Sequence, residues 1–267
     1  ARPFNADPLA RAAIPEEDRL VFEARELAKG RRYDAARPLV AAALERRPWH
    51  RGALLAMADL EFRRARYAAG LPHVIRALQL DAYDAEANFT AGNLYRALGR
   101  TADARDAFGW AARSMAYRSA ANVQLAELAL VRVDWAEADR YARIALDYNR
   151  ASLSAWEVRA IVGRRTGNRD LAASAAAELI ELDPLHHFVR AEAFLAAPTS
   201  ERADALVGGL RSEYPDQTVL ELAIGYVTRG LTGDAVALFE ATDARVRSPM
   251  AQVWLAYLKQ DPSVAAG

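Results

Sequence analysis

The sequence lacks cysteine, has only two lysines and four histidines among 267 residues, and carries no formal net charge, with 35 acidic and 35 basic side chains. The absence of cysteine excludes disulfides and thiolate metal sites, and it fits a cytoplasmic protein as well as an exported one. A neutral chain gives no general reason to expect nucleic acid or an anionic membrane as a partner. No apolar run approaches the roughly 20 residues that cross a bilayer, so we predict no membrane span.

Alanine and arginine are in excess: there are 61 alanines, and arginine supplies 33 of the 35 basic side chains. Alanine has the highest helix propensity, whereas all-β folds need β-branched and aromatic residues in quantity. The balanced charge and the 52% of hydrophobic residues argue against disorder. We therefore predict an all-α protein, although a GC-rich genome is a simpler explanation for part of this bias.

Small residues recur every 34 positions, which points to internal repeats over residues 17–186. Gly30 and Gly99 mark turns within repeats, and Pro48 and Pro184 mark breaks between them, as expected just beyond helix ends. We interpret each period as two antiparallel helices that cross at the small residues, because only a small side chain lets two helices approach closely there. The three series are Ala24, Ala58, Gly92, Ala126, Ala160; Ala36, Gly70, Ala104, Ala138, Ala172; and Ala43, Ala77, Ala111, Ala145, Leu179.

The stretch from Asn88 to Ala111, with Gly92, Tyr95, Gly99, Ala104 and Phe108 at characteristic places, resembles a tetratricopeptide repeat. The same pattern is matched later by Trp156, Ala160, Gly167, Ala172 and Pro184. The resemblance implies a right-handed α-solenoid of antiparallel helix pairs, a TPR-like superhelix.

After residue 186 the repeat register slips, because the next break, at Pro215, comes 31 residues after Pro184. We predict a closing helix begun by Ser248 and Pro249, and an extended N-terminal arm anchored by Phe4 and Leu9. The predicted division is an arm or linker (1–16), five regular repeats (17–186), a shortened sixth repeat (187–215), a seventh repeat (216–247), a closing helix (248–260) and a tail (261–267).

The C-terminal part carries a second, narrower resemblance, through the run from Tyr214 to Ala223 and the run from Pro249 to Leu258. These runs are similar to the C-terminal region of a bacterial family in which a tetratricopeptide array follows a large β-rich, carbohydrate-related module. The chain also begins with Ala1 rather than methionine, as expected of a mature chain or of part of a longer protein. An alternative function is therefore an accessory, docking or oligomerisation region of a longer carbohydrate-active enzyme, with an upstream domain as its partner.

No catalytic constellation or cofactor motif is apparent, so we predict that this chain by itself is not an enzyme and holds no cofactor. There is no phosphate-binding glycine loop of the P-loop or dinucleotide type. His186 and His187 are adjacent, so on a helix their side chains point about 100° apart, and we expect packing or capping there rather than a metal site. Paired arginines such as Arg63 and Arg64 fall near helix C-termini, which suit cations, and we predict no nucleic-acid binding.

The resemblance to tetratricopeptide repeats implies that the first helix of each pair lines a ligand groove. A mixture of aromatic, amide and charged side chains suits an extended polypeptide. We therefore predict a non-catalytic scaffold that holds a protein segment; the sequence does not indicate the oligomeric state. An alternative is that the two phenylalanines of this set only pack between repeats. The predicted groove residues are Arg25, Asp59, Phe62, Arg63, Phe89, Asn93, Arg96, Glu127 and Arg164.

Overall fold

A computed structural model describes residues 14–210 and 215–260 of the chain, and within these ranges every regular element is an α-helix. The predicted all-α class is therefore confirmed. Residues 1–13 of the predicted arm, with its anchors Phe4 and Leu9, lie outside the described residues, as do residues 211–214 and the tail 261–267.

Fifteen helices follow one another in the described residues, joined by short turns. In chain order they are α1 (Glu16–Lys29), α2 (Tyr33–Arg46), α3 (Arg51–Arg63), α4 (Tyr67–Leu80), α5 (Ala85–Ala97), α6 (Thr101–Ala111), α7 (Arg118–Val131), α8 (Trp135–Tyr148), α9 (Leu153–Thr166), α10 (Arg169–Leu182), α11 (His187–Ala196), α12 (Ser200–Gly208), α13 (Pro215–Val227), α14 (Thr232–Val246) and α15 (Pro249–Leu258). No helix among the described residues is long and apolar enough to cross a membrane.

The chain divides into two compact units, residues 1–121 (unit 1) and 122–267 (unit 2). In unit 1, α1 packs on α2, α3 on α4 and α5 on α6; in unit 2, α9 packs on α10 and α13 on α14. Each unit thus contains consecutive helix pairs, as the period predicts. The finer division of the chain into seven repeats and a closing helix stays a prediction.

Helix starts recur with the 34-residue period. His50, Asp84 and Ser152 precede α3, α5 and α9, and each side chain accepts a hydrogen bond from the backbone amide three residues later. Such N-caps satisfy amides that have no partner inside the helix. Ser248 caps α15 in the same way, with Pro249 in the first turn, as predicted from the sequence.

The small-residue series lie where helices cross. All fifteen positions are buried except Ala172, which is half-buried. A Cβ added to Gly70 of α4 would lie 3.1 Å from the carbonyl oxygen of Ala58 in α3, and one added to Gly92 of α5 would lie 2.5 Å from the ring of Phe108. Real Cβ atoms do not come as close as 2.5 Å to a non-bonded atom, so a larger residue at Gly92 would clash. The period of small residues therefore reflects close contacts between helices.

Candidate functional sites in the two units

An open pocket of about 490 Å³ lies on the first helices of the pairs in unit 1. We call this surface the first-helix face of unit 1; it is formed by α1, α3 and α5. The pocket combines cationic, acidic, aromatic and aliphatic groups. Its lining residues are Ala24, Arg25, Ala28, Lys29, Arg31, Tyr33, Leu55, Ala56, Asp59, Leu60, Arg63, Glu86, Phe89, Thr90 and Tyr117.

An ion-pair network joins the three first helices beneath one end of this pocket. The Arg51 guanidinium donates to both carboxylate oxygens of Asp84, with Nη2 to Oδ1 at 2.7 Å, and to Glu86 at 2.9 Å. Glu86 also lies 3.5 Å from the guanidinium of Arg25. Burial disfavours the charged form of Asp84, but Arg51 and the backbone amide of Ala87 outweigh it and hold the pKa of Asp84 below its usual value. The network connects α1, α3 and α5, although the Arg25–Glu86 pair that reaches α1 is exposed and contributes little to stability.

The other end of the pocket is rich in cations. Lys29, Arg31 and Arg63 lie at or just beyond the C-terminal ends of α1 and α3, where the helix dipole favours positive charge. Arg63 donates to Asp59 one turn earlier, 2.7 Å away, and this hydrogen bond is the main reason that the pKa of Arg63 is raised. The side chain of Arg63 remains half exposed, at 49%, so it can contact a bound molecule.

Aromatic rings form the wall nearest the Glu86 end. The ring of Phe89 packs edge-on against buried Phe108, with centroids 5.6 Å apart, and lies 5.3 Å from the ring of Tyr117. Burial and the negative charge of Glu86 raise the pKa of Tyr117, so its hydroxyl stays protonated at neutral pH. The wall therefore offers an apolar surface beside a hydroxyl donor.

The structure brings Arg25, Asp59, Arg63 and Phe89 of the predicted groove set together in this pocket. Phe62 packs against Tyr67, with ring centroids 5.5 Å apart, between α3 and α4, which are the two helices of one pair. The alternative that Phe62 only packs between repeats stays a prediction. Asn93 and Arg96 on α5 are half-buried and do not line the pocket. Phe89 does both: it packs against other rings and faces the pocket.

Sequence reasoning missed the network that connects the three helices, which depends on Arg51 and Asp84. One signal was present: Asp84 follows His50 by one period, and both occupy the position just before a first helix. That register predicts an N-cap. It does not predict that the same carboxylate binds an arginine one repeat earlier.

In unit 2 the first helices α7, α9 and α11 form the corresponding surface, the first-helix face of unit 2. Here the predicted groove residues Glu127 and Arg164 contact the C-terminal part of their own chain. Glu127 accepts from Arg229 at 3.1 Å, and Arg164 donates to Asp234 at 2.6 Å. The role of Glu127 and Arg164 in binding a partner stays a prediction.

Beside the Arg229 cluster lies a second pocket of about 370 Å³, lined by residues that include Glu157, His186, His187, Phe188 and Arg229. His186 precedes α11 but makes no side-chain cap; its Nε2 lies 3.0 Å from a carboxylate oxygen of Glu157. His186 thus makes no side-chain cap, but its ring packs with its centroid 5.9 Å from that of Phe188, which agrees with the packing half of the expectation. Among the described residues, no group of three or more metal-ligating side chains is placed to hold a metal ion.

The Glu157 carboxylate makes part of the stability of unit 2 dependent on pH. Burial raises its pKa, but the hydrogen bond with His186 and the charge of Arg229 outweigh this, and the net pKa lies below 4.5. A group whose pKa is lower in the folded than in the unfolded state contributes stability at pH values above its unfolded-state pKa. That stability is lost as the pH falls through its folded-state pKa.

We therefore expect Glu157→Gln to destabilise the protein at pH 7 by about 1–3 kcal/mol, because charge-assisted hydrogen bonds are lost. The difference from the wild type shrinks as the pH falls below 4.5. Urea denaturation at several pH values checks this, with Glu178→Gln on the exposed side of α10 as the control. A difference that stays constant at low pH would contradict the assignment.

No protein-family model matches the sequence, and no curated protein sequence matches it. Solved structures, by contrast, match the fold of this chain. A tetratricopeptide repeat protein from Parabacteroides merdae superimposes with a TM-score of 0.65 at 16% identity, covering 92% of this chain and 99% of that one. PilF of Pseudomonas aeruginosa superimposes with a TM-score of 0.62 at 16% sequence identity, covering 91% of this chain and 97% of that one. YrrB, described as a TPR protein with an unusual peptide-binding site, superimposes with a TM-score of 0.50 at 17% sequence identity, covering 82% of this chain and 97% of that one. The chain therefore has the tetratricopeptide-repeat fold, an α-solenoid of helix pairs, as the 34-residue period predicts.

Proposed function

We propose that this chain is a non-catalytic interaction scaffold, and that the pocket on the first-helix face of unit 1 binds an extended segment of a partner polypeptide. The observation that carries the proposal is the lining of this 490 Å³ pocket, in which guanidinium groups surround an apolar and aromatic wall. It is open along three helices, as an extended chain requires.

The pocket provides both kinds of contact that an extended peptide needs. The half-buried rings of Phe89 and Tyr117 offer an apolar surface for one side chain of the partner. Arg25 and Arg63, whose side chains are both 49% exposed, can donate to backbone carbonyls or carboxylates on either side of it. The YrrB structure, with its described peptide-binding site on the same fold, supports this reading. The alternative, an accessory region of a carbohydrate-active enzyme, gains no support from the comparisons.

The experiment starts from peptides selected on the wild-type protein from a random library displayed on phage. We expect the double variant Arg25→Ala/Arg63→Ala to bind the selected peptides about tenfold or more weakly, because charge-assisted donors are lost. Fluorescence anisotropy with labelled peptides measures the affinity. The fold is retained, because the two ion pairs that disappear are exposed and contribute little to stability.

Two further variants sharpen the result. Arg105→Ala removes an exposed arginine of α6 outside the pocket, and its affinity is expected to equal that of the wild type. Asn93→Ala/Arg96→Ala tests whether the site extends along α5, as the sequence predicts. If Arg25→Ala/Arg63→Ala binds as tightly as the wild type, the pocket is not the site.

A further inference from the structure

The turn between α13 and α14 enters the first-helix face of unit 2. Arg229 and Gly230 belong to this turn, Tyr226 to the end of α13 and Asp234 to the start of α14. A Cβ added to Gly230 would lie 3.1 Å from the Cα of Val131 in α7, and its φ of +76° favours glycine. The turn thus contacts a helix three pairs earlier in the chain.

The first of two arginine clusters joins this turn to α7 and α9. Arg229 Nη2 donates to Glu127 Oε1 at 3.1 Å and to Glu157 Oε2 at 2.5 Å. The side chains of all three residues are 14% exposed or less. Because a charge is costly to bury without a partner, each member of the cluster depends on the others.

The second cluster joins α14 to α9 and α11. Arg164 donates from Nε to Glu192 at 2.8 Å and from Nη2 to Asp234 at 2.6 Å. Tyr226, at the end of α13, donates from its buried hydroxyl to Glu192 at 2.7 Å, and its ring stacks on Phe188 of α11. The α13–α14 hairpin is therefore tied to the first helices of unit 2 by charged and aromatic contacts.

The two glutamates of the first cluster, Glu127 and Glu157, occupy repeat positions that line the open pocket in unit 1. Glu127 stands two periods after Asp59, and Glu157 stands two periods after Phe89; Asp59 and Phe89 line the unit 1 pocket. In unit 2 the equivalent positions face the hairpin. The helices α11 and α12 are short, with 10 and 9 residues, and α14 packs against both of them.

We propose that the α13–α14 hairpin is an intramolecular occupant of the first-helix face of unit 2. The two arginine clusters hold it there, and the face is closed to polypeptides while they are intact. The chemistry of the occupant follows from the contacts: it carries an arginine for Glu127 and Glu157 and a carboxylate for Arg164. The face is therefore specific for a segment with both charges.

The test uses a fluorescent synthetic peptide of residues 215–246 and the full-length chain. In the variant Arg229→Met/Asp234→Asn only the hairpin is altered, and the face keeps Glu127, Glu157 and Arg164. We expect the wild-type peptide to bind this variant at least about a hundredfold more tightly than it binds the wild-type chain, because losing one partner from a buried ion pair already favours the open state by more than that factor. A peptide carrying the same two substitutions does not bind.

The matched control is Arg143→Met, which removes an exposed arginine of α8 and leaves the face closed. Equal binding of the peptide to the wild type and the variant, or no binding to a variant with native circular dichroism, overturns the proposal. If the variant does not fold, native-state hydrogen exchange of the wild type decides. If the amide hydrogens of α13 and α14 exchange at a lower denaturant concentration than those of α7 and α9, the hairpin opens separately, which supports the proposal. If all four helices exchange together, the hairpin is a permanent part of the helix stack and the proposal is wrong.

Discussion

Replacing Gly163 with alanine is expected to lower the free energy of unfolding by about 3 kcal/mol, although alanine is the better helix former. A Cβ on Gly163 of α9 would lie 2.5 Å from the backbone nitrogen of Ala172 and 2.8 Å from its Cα in α10. Backbone atoms cannot move aside as a side chain can. The two helices would therefore have to separate, with loss of packing along the whole crossing.

Gly109→Ala is the matched control for this prediction. Gly109 also lies inside a helix, α6, but a Cβ there would meet no atom within 4 Å. We expect this variant to gain about 0.5–1 kcal/mol, because alanine loses less backbone entropy on helix formation. Urea denaturation monitored by circular dichroism measures both variants. Equal effects at the two positions would contradict the crossing explanation.

The fold was predictable because its main constraint repeats. Small side chains such as Ala58 and Gly92 recur at a fixed spacing that helix geometry requires, and the N-caps recur in the same register. Gly163 belongs to none of the three small-residue series, and its close contact with Ala172 depends on the individual angle between α9 and α10. Periodicity reports what repeats share, and it does not report such local differences.

The candidate site was predictable only in part, for the same reason. The repeat register places Arg25, Asp59 and Phe89 on first helices, and they line the pocket. Register alone cannot tell that Glu127 and Arg164, on equivalent faces, contact a hairpin from much later in the chain. That contact depends on the path of the chain after residue 186, where the 34-residue period is lost.

The most severe loss of stability among the charged residues is expected for Arg164→Met, at about 3–5 kcal/mol. The side chain of Arg164 is 8% exposed and lies between the carboxylates of Glu192 and Asp234. Methionine has a similar length, so little packing is lost. The cost arises because two buried carboxylates then lose the cation between them, and only the more distant Arg165, 4.0 Å from Asp234, remains nearby.

A compensated variant separates this cause from a simple packing defect. Adding Glu192→Gln and Asp234→Asn to Arg164→Met removes both unpaired charges while preserving the shapes of the side chains. We expect this triple variant to recover more than half of the lost stability, because replacing all members of a buried ionic cluster costs far less than removing one. Arg143→Met, at an exposed i,i+4 pair with Asp139, changes stability by no more than about 0.5 kcal/mol. If the triple variant is less stable than Arg164→Met alone, the neutral hydrogen bonds rather than the charges hold the hairpin, and the ionic explanation is wrong.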